Sequence, residues 1–246
     1  MVARPRIRAS LTEHDLSALA SEIAIKAPHL RPEFDYYLRD GQIDDIFRSD
    51  RIRAAVLSTS PRNISRFPLH LYFLIATTDS LATVGLDDLD FADYIASLLW
   101  DFATIERSSY PLGPEYPSFT TIAKMLAAAN TATPGQRDYL YVLTAEFMLW
   151  LLGLWSDHVR WRRERCGAPD LGYYESIGKS LYSYSAESSI ATNLGMTNIY
   201  RQAASHFTLV RIALNEVADR CSFASGPEDA IERILQRSTE ITNAKS

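Results

Sequence analysis

Apolar residues recur every three to four positions along most of this chain, and the runs are interrupted at Pro and Gly. That spacing puts apolar side chains on one face of a helix. Segment 87–107 shows it best: Phe91, Ile95, Leu98, Phe102 and Ile105 form a single stripe. Asp87, Asp88 and Asp90 open the segment, where acidic groups complement the positive end of a helix. No stretch alternates in the manner of a strand, and there is no fixed-period repeat or low-complexity tract.

Start and stop signals divide the rest. Ser10-x-x-Glu13 reads as a capping box opening a helix to about Ala27, closed by Pro28 and Pro32. A short helix is expected over 32–40, with Gly41 in the left-handed capping position. One or two short helices follow over 42–60, ending at Ser60-Pro61, and another spans about 68–84, ending at Gly85. Three prolines within 108–118 make a stiff connection, the best place for a subdivision if 1–246 is not one domain. Beyond it the pattern predicts helices over 119–130, 134–166 (opened by a Thr133-Pro134-x-Gln136 box), 170–191 and 197–221, and a last amphipathic one after Ser225-x-Pro227-Glu228.

Residues 139–156, YLYVLTAEFMLWLLGLWS, carry one charged side chain, Glu146. A helix apolar on all sides is buried, in a core or in a membrane. A spanning helix needs about 20 mostly apolar residues, and lipid penalises a central carboxylate. The run is short and carries Glu146, so the expectation is no membrane contact. It is instead the long buried central helix, about 134–166, of an all-α, compact multi-helix bundle. Glu146 is then a buried carboxylate that must be protonated, paired with Arg, or bound to a ligand or metal.

Composition narrows the classes. The net charge of −5 argues against a nucleic-acid binder. Arg outnumbers Lys 21 to 4, which suits buried or bidentate pairs, although a GC-rich coding bias gives the same skew. Cys166 and Cys221 form no CxxC pair or cluster and read as free thiols of a cytoplasmic protein. The opening residues, MVARPRIRASLTEHDL, lack the apolar core of a secretory signal.

Chemical motifs are sparse. There is no GxSxG, GxGxxG, P-loop or HExxH, and no Glu followed three residues later by His. Ser176-x-x-Lys179 matches SxxK without its companion motifs, and a helix surface explains it as well. No cofactor is predicted. Glu146 and His158 lie about 18 Å apart on one continuous helix, too far to share an ion. Glu146 with Glu187 and His206 from neighbouring helices is the remaining combination for a ligand pocket or metal ion.

The run Arg160, Trp161, Arg162, Arg163, Arg165 could grip an anion, or merely complement a helix C-terminus. Tyr173, Tyr174, Tyr182 and Tyr184 share the next helix, and aromatic anchors beside Arg are the ingredients of an interface. The expected function is a helical binding or interaction protein, associating with itself or a protein partner through 160–184, with a small-molecule ligand possible. The alternative is a bundle enzyme, or a ligand- or metal-binding protein, with its pocket beside Glu146.

Overall fold

The computed structural model describes residues 3–58, 67–103 and 122–221. These contain thirteen α-helices and two 3-10 turns, and no strand. The all-α bundle is what the sequence pattern implied. The helices are α1 (Glu13–Lys26), α2 (Arg31–Arg39), α3 (Ile43–Arg48), α4 (Asp50–Leu57), α5 (Leu69–Thr83), α6 (Leu89–Phe102), α7 (Ile122–Thr131), α8 (Pro134–Leu154), α9 (Ser156–Cys166), α10 (Leu171–Ala186), α11 (Ser189–Leu194), α12 (Thr197–Ser205) and α13 (Phe207–Cys221). The expected proline-rich connection 108–118, the Ser60-Pro61 stop and the helix after Ser225 lie outside the described residues.

The hub is α8, which packs against α6, α7, α9, α10, α11 and α13. Helix α5 joins α13 and α6 on one side to α3 and α4 on the other. Helices before and after the proline-rich stretch therefore touch. The apolar run of α8 is enclosed as its composition requires: Leu140, Val142, Leu143, Ala145, Met148, Leu149 and Leu152 are all buried.

One expected element divides. The predicted single helix 134–166 is two helices, α8 and α9, meeting at 89° across Trp155. The physical cause is the change of composition at that point. Helix α9 reads SDHVRWRRERC and cannot extend into a core, so the chain turns and carries it to the surface. The carbonyls freed at the end of α8 are caught by α13: Asn215 Nδ2 donates to Leu152 O at 3.2 Å and to Gly153 O. Gly153 permits this approach, since a Cβ there would meet the Leu214 side chain at 2.6 Å. Among the described residues no single helix is long and apolar enough to cross a membrane. The predicted helix 197–221 likewise divides at His206 into α12 and α13, and the predicted helix 170–191 ends at Ala186, with α11 following.

The first cap also shifts. Ser10 lies in a 3-10 turn, Arg8–Ser10, and its hydroxyl donates to Ile7 O. The box is formed by Thr12 and Asp15 instead, with Thr12 N donating to Asp15 Oδ2 at 2.9 Å and Asp15 N to Thr12 Oγ1 at 3.2 Å. His70 Nε2 stands 3.1 Å from Asp15 Oδ1. Burial acts to raise the Asp15 carboxyl, but the Thr12 donors and His70 outweigh it and hold it below its ordinary value. A depressed folded pKa gives stability that is present above the unfolded value, near 3.8, and lost as pH falls through the folded one. Urea midpoints measured downward from about pH 5 should therefore fall more steeply for the native chain than for Asp15→Asn. Parallel curves would rule out this role for Asp15.

Candidate functional site

Two places among the described residues are candidates for a functional site. The first surrounds Glu146, which is fully buried in the middle of α8. Its Oε1 accepts the backbone N–H of Ala3 at 2.9 Å, and the Tyr94 hydroxyl stands 3.5 Å away. Tyr94 and Tyr182 share a hydrogen bond of 3.0 Å between their hydroxyls. Tyr200 packs on both, with ring centroids at 6.0 and 5.9 Å. Its hydroxyl is buried and has no hydrogen-bond partner among the described residues. Burial, then the neighbouring Tyr182, Glu146 and Tyr200, push the Tyr94 hydroxyl well above its ordinary pKa. Burial and Glu146 do the same to Tyr200, against a smaller opposing effect of Arg4. Both phenols are neutral at any physiological pH. The cluster is thus a buried polar node that pins the N-terminal segment to α6, α8, α10 and α12.

Glu187 and His206 do not join it. Glu187 is exposed just beyond α10 and pairs with Arg201 at 3.0 Å. His206 sits at the junction of α12 and α13. No group of three His, Cys, Asp or Glu side chains that could hold a metal ion occurs among the described residues.

The second place is a cleft of about 350 Å³ between α7, α8, α9 and α10. Its apolar floor is made by Ile122, Ala123 and Leu126 of α7, Phe147 and Leu151 of α8, Val159 of α9 and Ile177 of α10. Its polar groups are His158 and Arg162 of α9 and Tyr173 and Tyr174 of α10, with Ala168 and Pro169 closing the loop between them. The 89° bend after α8 makes room for this cleft, because it swings α9 off the α8 axis and against α10. The volume falls in the range of roughly 300–1,000 Å³ of small-molecule sites.

The cationic run distributes unevenly. Arg160 reaches Asp157 at 3.4 Å and Arg163 reaches Asp170 at 3.5 Å. Arg162 and Arg165 are exposed and pair with no acid among the described residues. Trp161 is half exposed and stacks on His158, with centroids 5.8 Å apart. Of the four tyrosines, Tyr173 and Tyr184 are exposed, and Tyr184 meets Tyr141 edge to face at 5.0 Å. Tyr182 departs from the interface reading: it is fully buried, hydrogen-bonded to Tyr94, and packed on Phe207. It belongs to the buried stripe Gly178, Leu181, Tyr182, Ser185 of α10, while Tyr173 and Tyr184 lie off that stripe. Ser176 is exposed on α10, and no hydrogen bond joins it to Lys179 among the described residues.

Sequence reasoning named Arg162, Tyr173 and Tyr174 but missed the floor. Leu126, Phe147, Leu151 and Ile177 look like any core positions until the α8–α9 bend leaves them facing a gap. The chain matches no protein-family model, no curated protein and no solved structure.

Proposed function

We propose that this chain is a helical binding protein whose site is the cleft between α7, α8, α9 and α10, and that it takes a small, largely apolar molecule. The observation that carries the reading is an apolar lining drawn from four helices at a volume suited to a small ligand, with its few polar side chains supplied by α9 and α10. An enzyme reading centred on Glu146 has less behind it, because Glu146, Tyr94, Tyr182 and Tyr200 are fully enclosed by the core. The exposed free thiol of Cys166 fits a reducing, cytoplasmic setting.

The test is fluorescence of N-phenyl-1-naphthylamine, a neutral apolar dye, titrated with the chain. Enhancement and a blue shift are expected, both lost in Leu126→Trp, which fills the floor. Circular dichroism checks that the variant keeps its helices. Equal enhancement by both proteins would remove the cleft as the site.

A second reading is favoured by exposed Trp155, Trp161, Tyr173 and Tyr184 beside the α9 arginines: docking of a protein partner or a second copy through 160–184. Light scattering at high micromolar concentration tests the second-copy form. A strict monomer would remove it.

A further inference from the structure

We infer that the cleft recognises an anionic amphiphile: a free molecule with an apolar chain or ring body and a single terminal acid. The inference rests on the cleft being the binding site and adds what it selects. The floor offers Ile122, Leu126, Phe147, Leu151, Val159 and Ile177, none of which can satisfy a polar group. The part of the ligand lying there must be apolar, since a buried polar group without a partner is costly. The polar groups are confined to α9 and the start of α10. His158 and Arg162 are four residues apart, so they project from the same face of α9 to the same side of the cleft. Tyr173 and Tyr174 line the cleft from the start of α10.

The sign of the ligand follows from which charges are already matched. Asp157 and Asp170 are taken by Arg160 and Arg163. Arg162 has no acidic partner among the described residues, so the cleft presents a guanidinium left to be matched. A guanidinium fork fits a carboxylate or phosphate in two parallel hydrogen bonds, which a neutral or cationic head cannot reproduce. The chain is acidic as a whole, with net charge −5, so this cationic corner runs against the general field.

Calorimetric titration of the full chain with decanoate, decanol and decyltrimethylammonium, each kept monomeric, holds the apolar body fixed and varies only the head. Decanoate should bind about tenfold or more tightly than decanol, the scale of hydrogen bonds to a charged group. Arg162→Gln should lose that advantage while leaving decanol affinity in place, and Arg162→Lys should keep part of it. Decanol and decanoate binding alike, or Arg162→Gln weakening both equally, would overturn the anionic inference and leave the apolar cleft standing. Failure of all three to bind would overturn the cleft reading with it. Sedimentation with phosphatidylglycerol vesicles separates the remaining source of such chemistry. Vesicle capture that survives Leu126→Trp would place recognition on the surface arginines and overturn the cleft as the site of the acid.

Discussion

Replacing Asp93 with Ala is expected to destabilise the chain by about 3–5 kcal/mol, the usual cost of removing one partner from a buried ion pair. Asp93 is 2% exposed and lies on α6. Its Oδ1 accepts backbone N–H groups of Arg6 at 3.2 Å and Ile7 at 2.9 Å, and its Oδ2 accepts that of Arg8 at 3.3 Å. Arg8 Nε stands 3.4 Å from Oδ2, and the Ser97 hydroxyl donates to Oδ1 at 3.2 Å. One carboxylate thus satisfies three successive main-chain donors in a segment that has no partner strand. With Ala, Ile7 N is left buried and unmatched, Arg6 N keeps only Ser97 Oγ at 3.3 Å, and the Arg8 guanidinium keeps only Asp44 and Asp90. The segment also carries Ala3 and Ile7 into the core and gives Ala3 N to Glu146, so its release would uncover the tyrosine cluster. Urea denaturation measures the loss, and hydrogen exchange of residues 3–10 should rise with it. A change under 1 kcal/mol with unaltered exchange would mean that Asp93 does not hold this segment.

Local signals and tertiary ones separate clearly in this chain. Glycine at positive φ marks real ends at Gly41 and Gly85, and the Thr133 box opens α8 as its residues suggest. Those signals act within one turn and need no neighbour. The bend at Trp155 is different in kind. Pro is absent there, and the carbonyls left open where the composition changes are met by Asn215, more than sixty positions away in sequence. The change from LWLLGL to a charged run was the available hint, and a continuous helix still fitted it. Two overlapping boxes competed for the start of α1. Glu is the stronger third-position residue, but Ser10 is committed to a 3-10 turn, so Thr12 and Asp15 win. Tyr182 was legible in principle: positions 178, 181, 182 and 185 fall on one helical face, and small residues at two of them allow close packing. Grouping tyrosines by nearness in sequence hid that phase. Asp93 gave a weaker signal than Glu146, because Asp87, Asp88 and Asp90 precede it and it reads as one more acid of the first turns. Its partners come from an irregular segment that has no periodicity to read. The cleft was half visible, since Arg162 and the tyrosine pair stood out while the floor depended on the bend.

The packing of α10 on α13 yields the other large effect. Phe207 is fully buried at the start of α13, and its ring edge occupies the space beside Gly178. A Cβ at Gly178 would lie 2.5 Å from Phe207 Cε2 and Cζ, so the glycine is there for room and not for backbone freedom. Tyr182, 6.2 Å away between centroids, packs on the same ring. Phe207→Ala should cost about 3–5 kcal/mol through lost burial and the cavity left behind. Gly178→Leu should also destabilise, by roughly 1–3 kcal/mol or more, because the added side chain meets a ring hemmed in by the core. The removal of glycine from a helix interior, a gain of about 1 kcal/mol, offsets only part of that. Combined, the two changes should cost less than their sum, because the leucine enters the space the phenyl ring vacates. A coupling of about 0.5–3 kcal/mol in the favourable direction is the expected reading of a double-mutant cycle by urea denaturation. Additive costs would mean that Gly178 and Phe207 are not in contact, and with that the seating of α10 and its Tyr182 on the bundle would have to be redrawn.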